Sequence, residues 1–591
     1  LNNKLARANE EVIQRPGLEI TKRTSIKGHT FLSVFALVLL SVSCPNPSPN
    51  SNFYPQADSE VTLQVTASRM TGTAPLYVFF DATASSGLSE GNDLVNADFS
   101  WQFDVQNTDP NGNWEEVKGM VAGHVFEKPG TYEVRTQLIN PDGHIDSTTL
   151  YIEVKEFDGV TYYVSEDGDD DNDGLSPADP WETAQFAFQQ LNSNERLLFR
   201  RGDTFSGLTQ NLNNHSGGPI IIGAYGTGDK PIITSPDEVV INIQNSENIR
   251  LQDLHIFPEN VGASTGMVVE NSENILALRL EIEQMATRAY YQDESNLLGI
   301  FDSYLHDLGV MSIFSGDSSR FSFVGNVTDN LLGAPQPEHA IRIQGGEKQF
   351  LAFNSFYHLD DTKTAITIRG DGQRHVMIYK NIMDRILGVN PQNAQTVAAI
   401  SQVVIEGNYI GHNPDYVGNN FEPTINGINI EATRVAIRNN VIDGYYNAIF
   451  IGHDYNGVES GKVDVYHNTI HWRPVTAFSG TSGRIVRVRD VNDVNIKNNF
   501  ISASDENTIS IVNTDGGSSH IVSQNNLLTQ TPNFIATLSS SPAHLVNLDH
   551  YDLSSSSPAI GYSEEAVPVF FDLHENPRDQ ENAQDVGAFT Y

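Results

Sequence analysis

The chain has 591 residues, a net charge of −39, 18% charged side chains and a single cysteine. That length leaves room for more than one domain, and the composition is that of a folded chain rather than a disordered one. The acidic balance argues against a general nucleic-acid binder, and one cysteine excludes an intramolecular disulfide and any Cys-based metal site.

Residues 1–44 read as a signal peptide. Lys22, Arg23 and Lys27 precede an apolar run from Phe31 to Leu40, too short for a typical transmembrane helix, and Ser41, Val42, Ser43 and Cys44 follow. This ending resembles the bacterial lipoprotein box, with Ser41 where that family usually has Leu. The resemblance implies lipidation of Cys44, a membrane contact made only through that lipid, and a place on the bacterial outer membrane or cell surface. A plain secretory signal, giving a secreted protein, is the alternative. Residues 45–58 are rich in Pro, Asn and Ser and read as a flexible tether.

Residues 59–156 carry short alternating strands separated by turn clusters, the pattern of a β-sandwich. Gly72-Thr-Ala-Pro75 leads to Val78-Phe-Phe-Asp81, then come Trp101 and Phe103, and finally Phe126-Glu-Lys-Pro129-Gly130-Thr-Tyr132-Glu-Val134. These residues resemble the PKD domain, an immunoglobulin-like module, although Phe103 runs into Asp104-Val-Gln where the family has Gly-Asp-Gly. The resemblance implies a spacer or a weak polysaccharide contact.

From residue 160 a strand at Tyr162–Val164 is followed by an acidic turn and by Ala184–Leu191, an amphipathic helix suited to capping the open end of a stack of strands. Asp169, Asp171 and Asp173 before Gly174 match the first half of an EF-hand loop, which makes Ca2+ the candidate cofactor; Pro180 stands where the loop's bidentate Glu belongs. No organic cofactor is implied. The opening strand, acidic turn, Trp181 and helix resemble the start of pectate-lyase-like β-helix proteins. Arg200-Arg-Gly-Asp203 and Gly223-Ala-Tyr-Gly226, and at the far end Asn576-Pro-Arg578 and Asp585-Val-Gly587, extend that resemblance.

Between Asp253 and Asn526 one pattern recurs every 23–32 residues or so: alternating apolar residues, then Asn. Examples are Leu351-Ala-Phe-Asn354, Val404-Ile-Glu-Gly-Asn408, Val463-Asp-Val-Tyr-His-Asn468 and Val494-Asn-Ile-Lys-Asn-Asn499. A fixed period of that size means a solenoid, and period-two alternation makes each unit a strand with a buried face. The turn Asn suits a left-handed backbone and side-chain stacking. The fold class is all-β: a right-handed parallel β-helix over 160–591 behind the sandwich, in a chain expected to be monomeric.

On such a scaffold chemistry lies on outward side chains of neighbouring coils. Aligning Ala340-Ile-Arg342-Ile-Gln344 with Ala365-Ile-Thr367-Ile-Arg369 puts Ile341, Ile343, Ile366 and Ile368 inside. It pairs Glu338 with Lys363, Arg342 with Thr367 and Gln344 with Arg369 outside, with strands about 4.8 Å apart. His339 falls at the strand's corner, and Asn429 and Glu431 project from a later coil. From 338 to 385 the chain has seven Lys/Arg against six Asp/Glu, nearly neutral within an acidic protein. This mixture suits β-elimination on an acidic polysaccharide. Arg342 and Arg369 would neutralise a uronate carboxylate, Lys363 or His339 would be the base, and Glu338, Gln344, Asn429 and Glu431 would contact substrate. A Glu338–Lys363 pair would instead keep Lys363 protonated, and outward charges on a solenoid are commonly solvated surface.

Thr367-Ile-Arg369-Gly370 resembles a strand motif of the alginate lyase and chondroitinase B family, in which a Lys base precedes the Arg by one coil. Gln344 stands there in this chain, so the family's substrate does not carry over. Asp360-Asp361 and Asn513-Thr-Asp515-Gly516 resemble polygalacturonase motifs in reversed order and without Gly-His-Gly. A glycoside hydrolase, which needs two carboxylates facing one sugar, and a non-catalytic carbohydrate-binding or adhesion protein remain alternatives to a lyase. Arg487 and Arg489 would extend an anion groove or pair with Asp490 and Asp493. Tyr290–Tyr291, Tyr445–Tyr446 and Trp472 would be sugar platforms or core.

Overall fold

The computed structural model describes residues 61–88, 93–104, 116–259, 264–331, 339–359, 364–390, 399–411, 426–452, 460–472, 483–503 and 509–529, and parts of 557–589. Cys44, Glu338 and Lys363 lie outside them.

Residues 66–155 form a sandwich. One sheet joins Thr66–Ala67, Leu76–Asp81 and Val121–Phe126; the other joins Thr71–Thr73, Ile145–Lys155, Gly130–Ile139, Asp98–Gln102 and Glu116–Lys118. Trp101 is fully buried between them and donates its indole N–H to the Gly119 carbonyl at 2.7 Å. The Tyr132 hydroxyl closes a corner on the Lys128 carbonyl at 2.8 Å.

From Val160 the chain winds into a parallel β-helix whose coils each give one strand to three sheets. Among the described residues, sheet I has 14 strands (Val160–Val164 to Ser519–Gln524), sheet II has 13 (Thr204–Ser206 to Leu527–Thr529) and sheet III has 12 (Gln210–Asn213 to Ile509–Asp515). The helix Ala184–Gln190, with Thr183 as its N-cap, sends Ala184, Ala187 and Phe188 into the start of the core. Inward Ile, Val and Leu stack coil upon coil, and period-two alternation fixes the register because a slip by one residue would turn every apolar side chain outward. Ile341 pairs with Ile366 and Ile343 with Ile368, all four fully buried, and Arg342 pairs with Thr367 and Gln344 with Arg369. The expected register is the one found.

The recurrent asparagines form a ladder inside the turn between sheets I and II. Asn326, Asn354, Asn381, Asn408, Asn440, Asn468, Asn499 and Asn526 each lie one coil apart, and each amide N–H2 donates to the next Oδ1 at 2.8–3.1 Å. The same oxygen accepts a backbone N–H from the coil before, as Asn440 Oδ1 does from Asn408 N at 3.0 Å. Stacking thereby satisfies polar groups that burial would otherwise leave unpaired. The left-handed residue is not the ladder Asn but the one before it: Phe353, Lys380, Gly407, Asn439, His467, Asn498 and Asn525 have φ between 48° and 70°. In the Asn-Asn pairs the first therefore supplies the backbone conformation and the second the ladder.

The sandwich is not a spacer. It lies flat on sheet I, where outward Leu276, Leu278, Phe301, Phe350, Met377 and Tyr379 join its own Tyr77 and Phe79 in one core. Tyr77 donates its hydroxyl to Ser322 Oγ at 2.9 Å, and Lys348 reaches Asp81 at 2.6 Å. Gly123 is required by this closeness, because a Cβ there would sit 2.0 Å from Ser322 Oγ. Polar groups are paired across the seam as well. Buried Arg438 binds Glu406 at 2.9 Å and donates to the carbonyls of Asn96 and Ala97. Lys118, 5% exposed at its side chain, bridges Asp98 at 3.0 Å and Glu575 at 2.8 Å and lies 4.2 Å from the Phe571 ring centre. Glu575 belongs to the C-terminal segment, whose Val586, Ala588 and Phe589 pack along the coils against Tyr409, Val441 and Phe500.

Candidate functional site

The outward face of sheet III collects the residues suited to chemistry. Strand pairing sets them in two columns, one position per coil. The first runs Val268, Tyr291, Phe314, Arg342, Thr367, Gly388, Asn429, Phe450, Arg487. The second, two residues on, carries Gln344 beside Arg369 and, several coils later, Gly452 beside Arg489.

Tyr291 and Phe314 stack face to face, 5.4 Å between centres and 7° from parallel, as parallel strands in register require. Arg288 lies 5.3 Å from the Tyr291 ring, and Arg342 covers Phe314 from the next coil at 5.6 Å. Such cation–π contacts hold a guanidinium over a ring. Arg342 Nη2 donates to Gln344 Oε1 at 2.6 Å, which ties it to the side chain that neighbours Arg369. Two guanidiniums thus occupy adjacent coils in adjacent columns. Burial first, then the Asp293 carboxylate, pushes the Tyr291 hydroxyl up to about 12.

His339 is 7% exposed, and its Nδ1 is held between the hydroxyls of Thr364 at 2.8 Å and Thr367 at 3.0 Å. The threonine beside Arg342 in the sheet is therefore one of the two that fix the imidazole. Asn429 shares the Arg342 column three strands on and is half-buried, whereas Glu431 is 2% exposed. The pairing of Glu338 with Lys363 falls outside the described residues.

Further along, Arg487 lies 5.4 Å from the Phe450 ring and binds Asp515 at 2.9 Å, a partner one coil on rather than the nearby Asp490 or Asp493. Arg489 is 3.8 Å from Asp490. Of the aromatic candidates, Tyr290 and Tyr445 are core, Trp472 is buried with its indole on the Tyr446 carbonyl, and Tyr291 alone of these described residues is shown stacked outward. Phe314 and Phe450 were missed. Their signal was present, since both sit between inward residues of an alternating strand, as in Ile313-Phe314-Ser315 and Ile449-Phe450-Ile451.

The acidic turn closes on itself. Asp169 accepts the Asp171 amide at 3.0 Å and Asp173 the Leu175 amide at 2.9 Å, while Asp170 binds the amides of Glu182 and Thr183 and the Thr183 hydroxyl ahead of the capping helix. Asp169, Asp171 and Asp173 are not among the groups of described residues whose carboxylates converge closely enough to hold a metal ion, so the half EF-hand pattern is not matched by a formed cage. Asp170, unremarked in the sequence, does the structural work of anchoring the helix.

The PKD domain family matches residues 62–152. Among curated proteins none matches the chain. Similar solved structures include pectate lyase Pel9A, 14% identical over 73% of this chain and 96% of that one with a TM-score of 0.34. An alginate lyase from Paenibacillus sp. str. FPU-7 is 12% identical over 57% and 96%, with a TM-score of 0.31. A GH136 lacto-N-biosidase from Eubacterium ramulus is 13% identical over 62% and 68%, with a TM-score of 0.36. The chain thus carries a PKD domain ahead of a parallel β-solenoid.

Proposed function

We propose that this protein binds an acidic polysaccharide along sheet III and cleaves it by β-elimination. The observation that carries this reading is the pair Arg342 and Arg369, set on neighbouring coils beside the stacked Tyr291 and Phe314, in a chain of net charge −39. Fixed cations in an acidic protein mark where a polyanion can approach, and flat rings beside them suit the apolar faces of sugars.

In that reaction a base removes the proton on the carbon next to the uronate carboxylate. The electron pair forms the new C=C bond as the glycosidic C–O bond breaks, and the leaving oxygen takes a proton. Charge develops on the carboxylate, so guanidiniums already in place stabilise the transition state more than the ground state. Arg342 and Arg369 take this role. His339, held by two hydroxyls, or Lys363 moves the proton, and Gln344 and Asn429 position the chain.

Incubation with a panel of uronic-acid polymers tests the reading. The expected result is new reducing ends together with the ultraviolet absorbance of an unsaturated uronate. Reducing ends alone would make the protein a hydrolase, and retention on the polymer with neither product would make it a binding protein.

We further propose that the protein works from a lipid on Cys44 at the outer membrane or cell surface. One acyl chain anchors weakly, so several are needed. Cys44→Ser is expected to move the protein from the membrane fraction to the soluble one; persistence in the membrane would end the proposal.

A further inference from the structure

Sheet II carries a second cluster on three successive coils. His255 opens the strand His255–Pro258, Glu281 and Glu283 flank Ile282 on the next, and His306 lies on Tyr304–Leu308. Pairing sets His255 beside Glu281 and Glu283 beside His306. His255 Nε2 is 2.9 Å from Glu283 Oε1, and His306 Nε2 is 3.7 Å from Glu281 Oε1. The ligand atoms of His255, Glu281 and Glu283 all lie within 4.8 Å of one another, as do those of Glu283, His306 and Asp307. Glu283 is common to both groups.

His306 gives the cluster its direction. Its Nδ1 is 2.7 Å from Asp307 Oδ2, and its ring stacks on Tyr304 with centres 3.9 Å apart, so the imidazole is locked. The residue is 9% exposed, and its other nitrogen, Nε2, is buried with no hydrogen-bond partner among the described residues. With Asp307 on one ring nitrogen, the other is turned toward the Glu281 carboxylate and can orient it, as residues behind a metal's ligands do.

We propose that His255 Nε2, Glu281 and Glu283 bind a divalent transition-metal ion of the zinc class, with a fourth position left open and His306, 3.7 Å from Glu281, as the positioning residue for that carboxylate. Two ligands on a tetrahedral zinc ion stand about 3.4 Å apart given metal–ligand bonds near 2.1 Å, and the 2.9 Å between His255 and Glu283 lies close to that value. An imidazole among the donors favours zinc, cobalt or nickel over calcium and magnesium, which take oxygen. Lys230, 3.7 Å from Glu281, is the neighbouring cation that the ion would have to displace from that carboxylate.

The test uses untagged full-length protein stripped with a chelator and titrated with Co2+, whose visible absorption reports tetrahedral nitrogen and oxygen ligands. One equivalent per chain is expected, displaced by Zn2+ and unaffected by an excess of Ca2+. Glu283→Gln and His255→Ala are each expected to abolish the spectrum, and His306→Ala to weaken binding roughly 10- to 100-fold. These side chains face outward, and thermal unfolding of the stripped variants checks that the fold survives. Should a variant fail to fold, a Zn2+-dependent shift of the His255 imidazole signal in wild-type protein decides the matter. No stoichiometric spectrum, a spectrum unchanged in both Glu283→Gln and His255→Ala, or a His255 imidazole signal indifferent to Zn2+ would each overturn the proposal.

Discussion

Arg369→Ala is expected to lower turnover on the cleaved polysaccharide roughly 10²–10³-fold, the usual loss for one electrostatic stabiliser of a developing charge, while leaving thermal stability unchanged. The side chain points away from the core, and the inward neighbour Ile368 keeps the strand in register. Arg342→Ala should act in the same direction and also raise the KM, because it frees the Phe314 face and the Gln344 amide together. His339→Ala and Lys363→Ala then separate the two candidate bases: the true one loses turnover with polymer binding retained. Wild-type turnover within a few-fold in all four variants would reduce this face to ordinary solenoid surface.

Lys118→Ala is expected to destabilise the protein by about 3–5 kcal/mol, the cost of leaving a buried charge without its partner. Asp98 is 5% exposed at its side chain and pairs with Lys118 across the sandwich edge. Burial raises the Glu575 carboxyl, but Lys118 and Lys380 outweigh it and take it from 4.5 down to about 2. A folded value below the unfolded one means that the contribution is complete above about pH 4.5 and is lost as the pH falls towards 2. Denaturation midpoints measured across that window should therefore fall with acid in the wild type and fall less in Lys118→Ala, where one of the two cations is gone. Equal midpoints for the two proteins at neutral pH would sink the assignment.

The solenoid was legible because its signals are local and repeated. Alternation at Ile341-Arg-Ile and Ile366-Thr-Ile fixed the inward face, and the recurring Asn marked the turn. Assigning the left-handed conformation to the ladder Asn itself failed where Phe353, Lys380 and His467 take that position, since nothing in one residue's type shows that its neighbour's side chain is being stacked. The docking of the sandwich was also missed, although its trace lies in the sequence. Ile275-Leu-Ala-Leu278 and Val376-Met-Ile-Tyr379 are apolar on both faces, and a strand that needs water on one face does not look like that. At the site, the cations were readable from alternation alone. The hydroxyls that hold His339 and the Asp515 partner of Arg487 depend on contacts between coils 25 to 28 residues apart, which no local pattern displays.

The seam on sheet I also dictates an order of events as the chain is made. Its contacts join residues far apart: Glu127 to Arg279 across 152 positions, Tyr77 to Ser322 across 245 and Asn96 to Asp464 across 368. The sandwich leaves the ribosome well before its platform exists, and coils carrying Leu276, Phe301, Phe350 and Met377 emerge one after another with an oily strip on the outside. In the folded protein the amino-terminal domain covers this strip, apolar surface that left bare would be open to other chains.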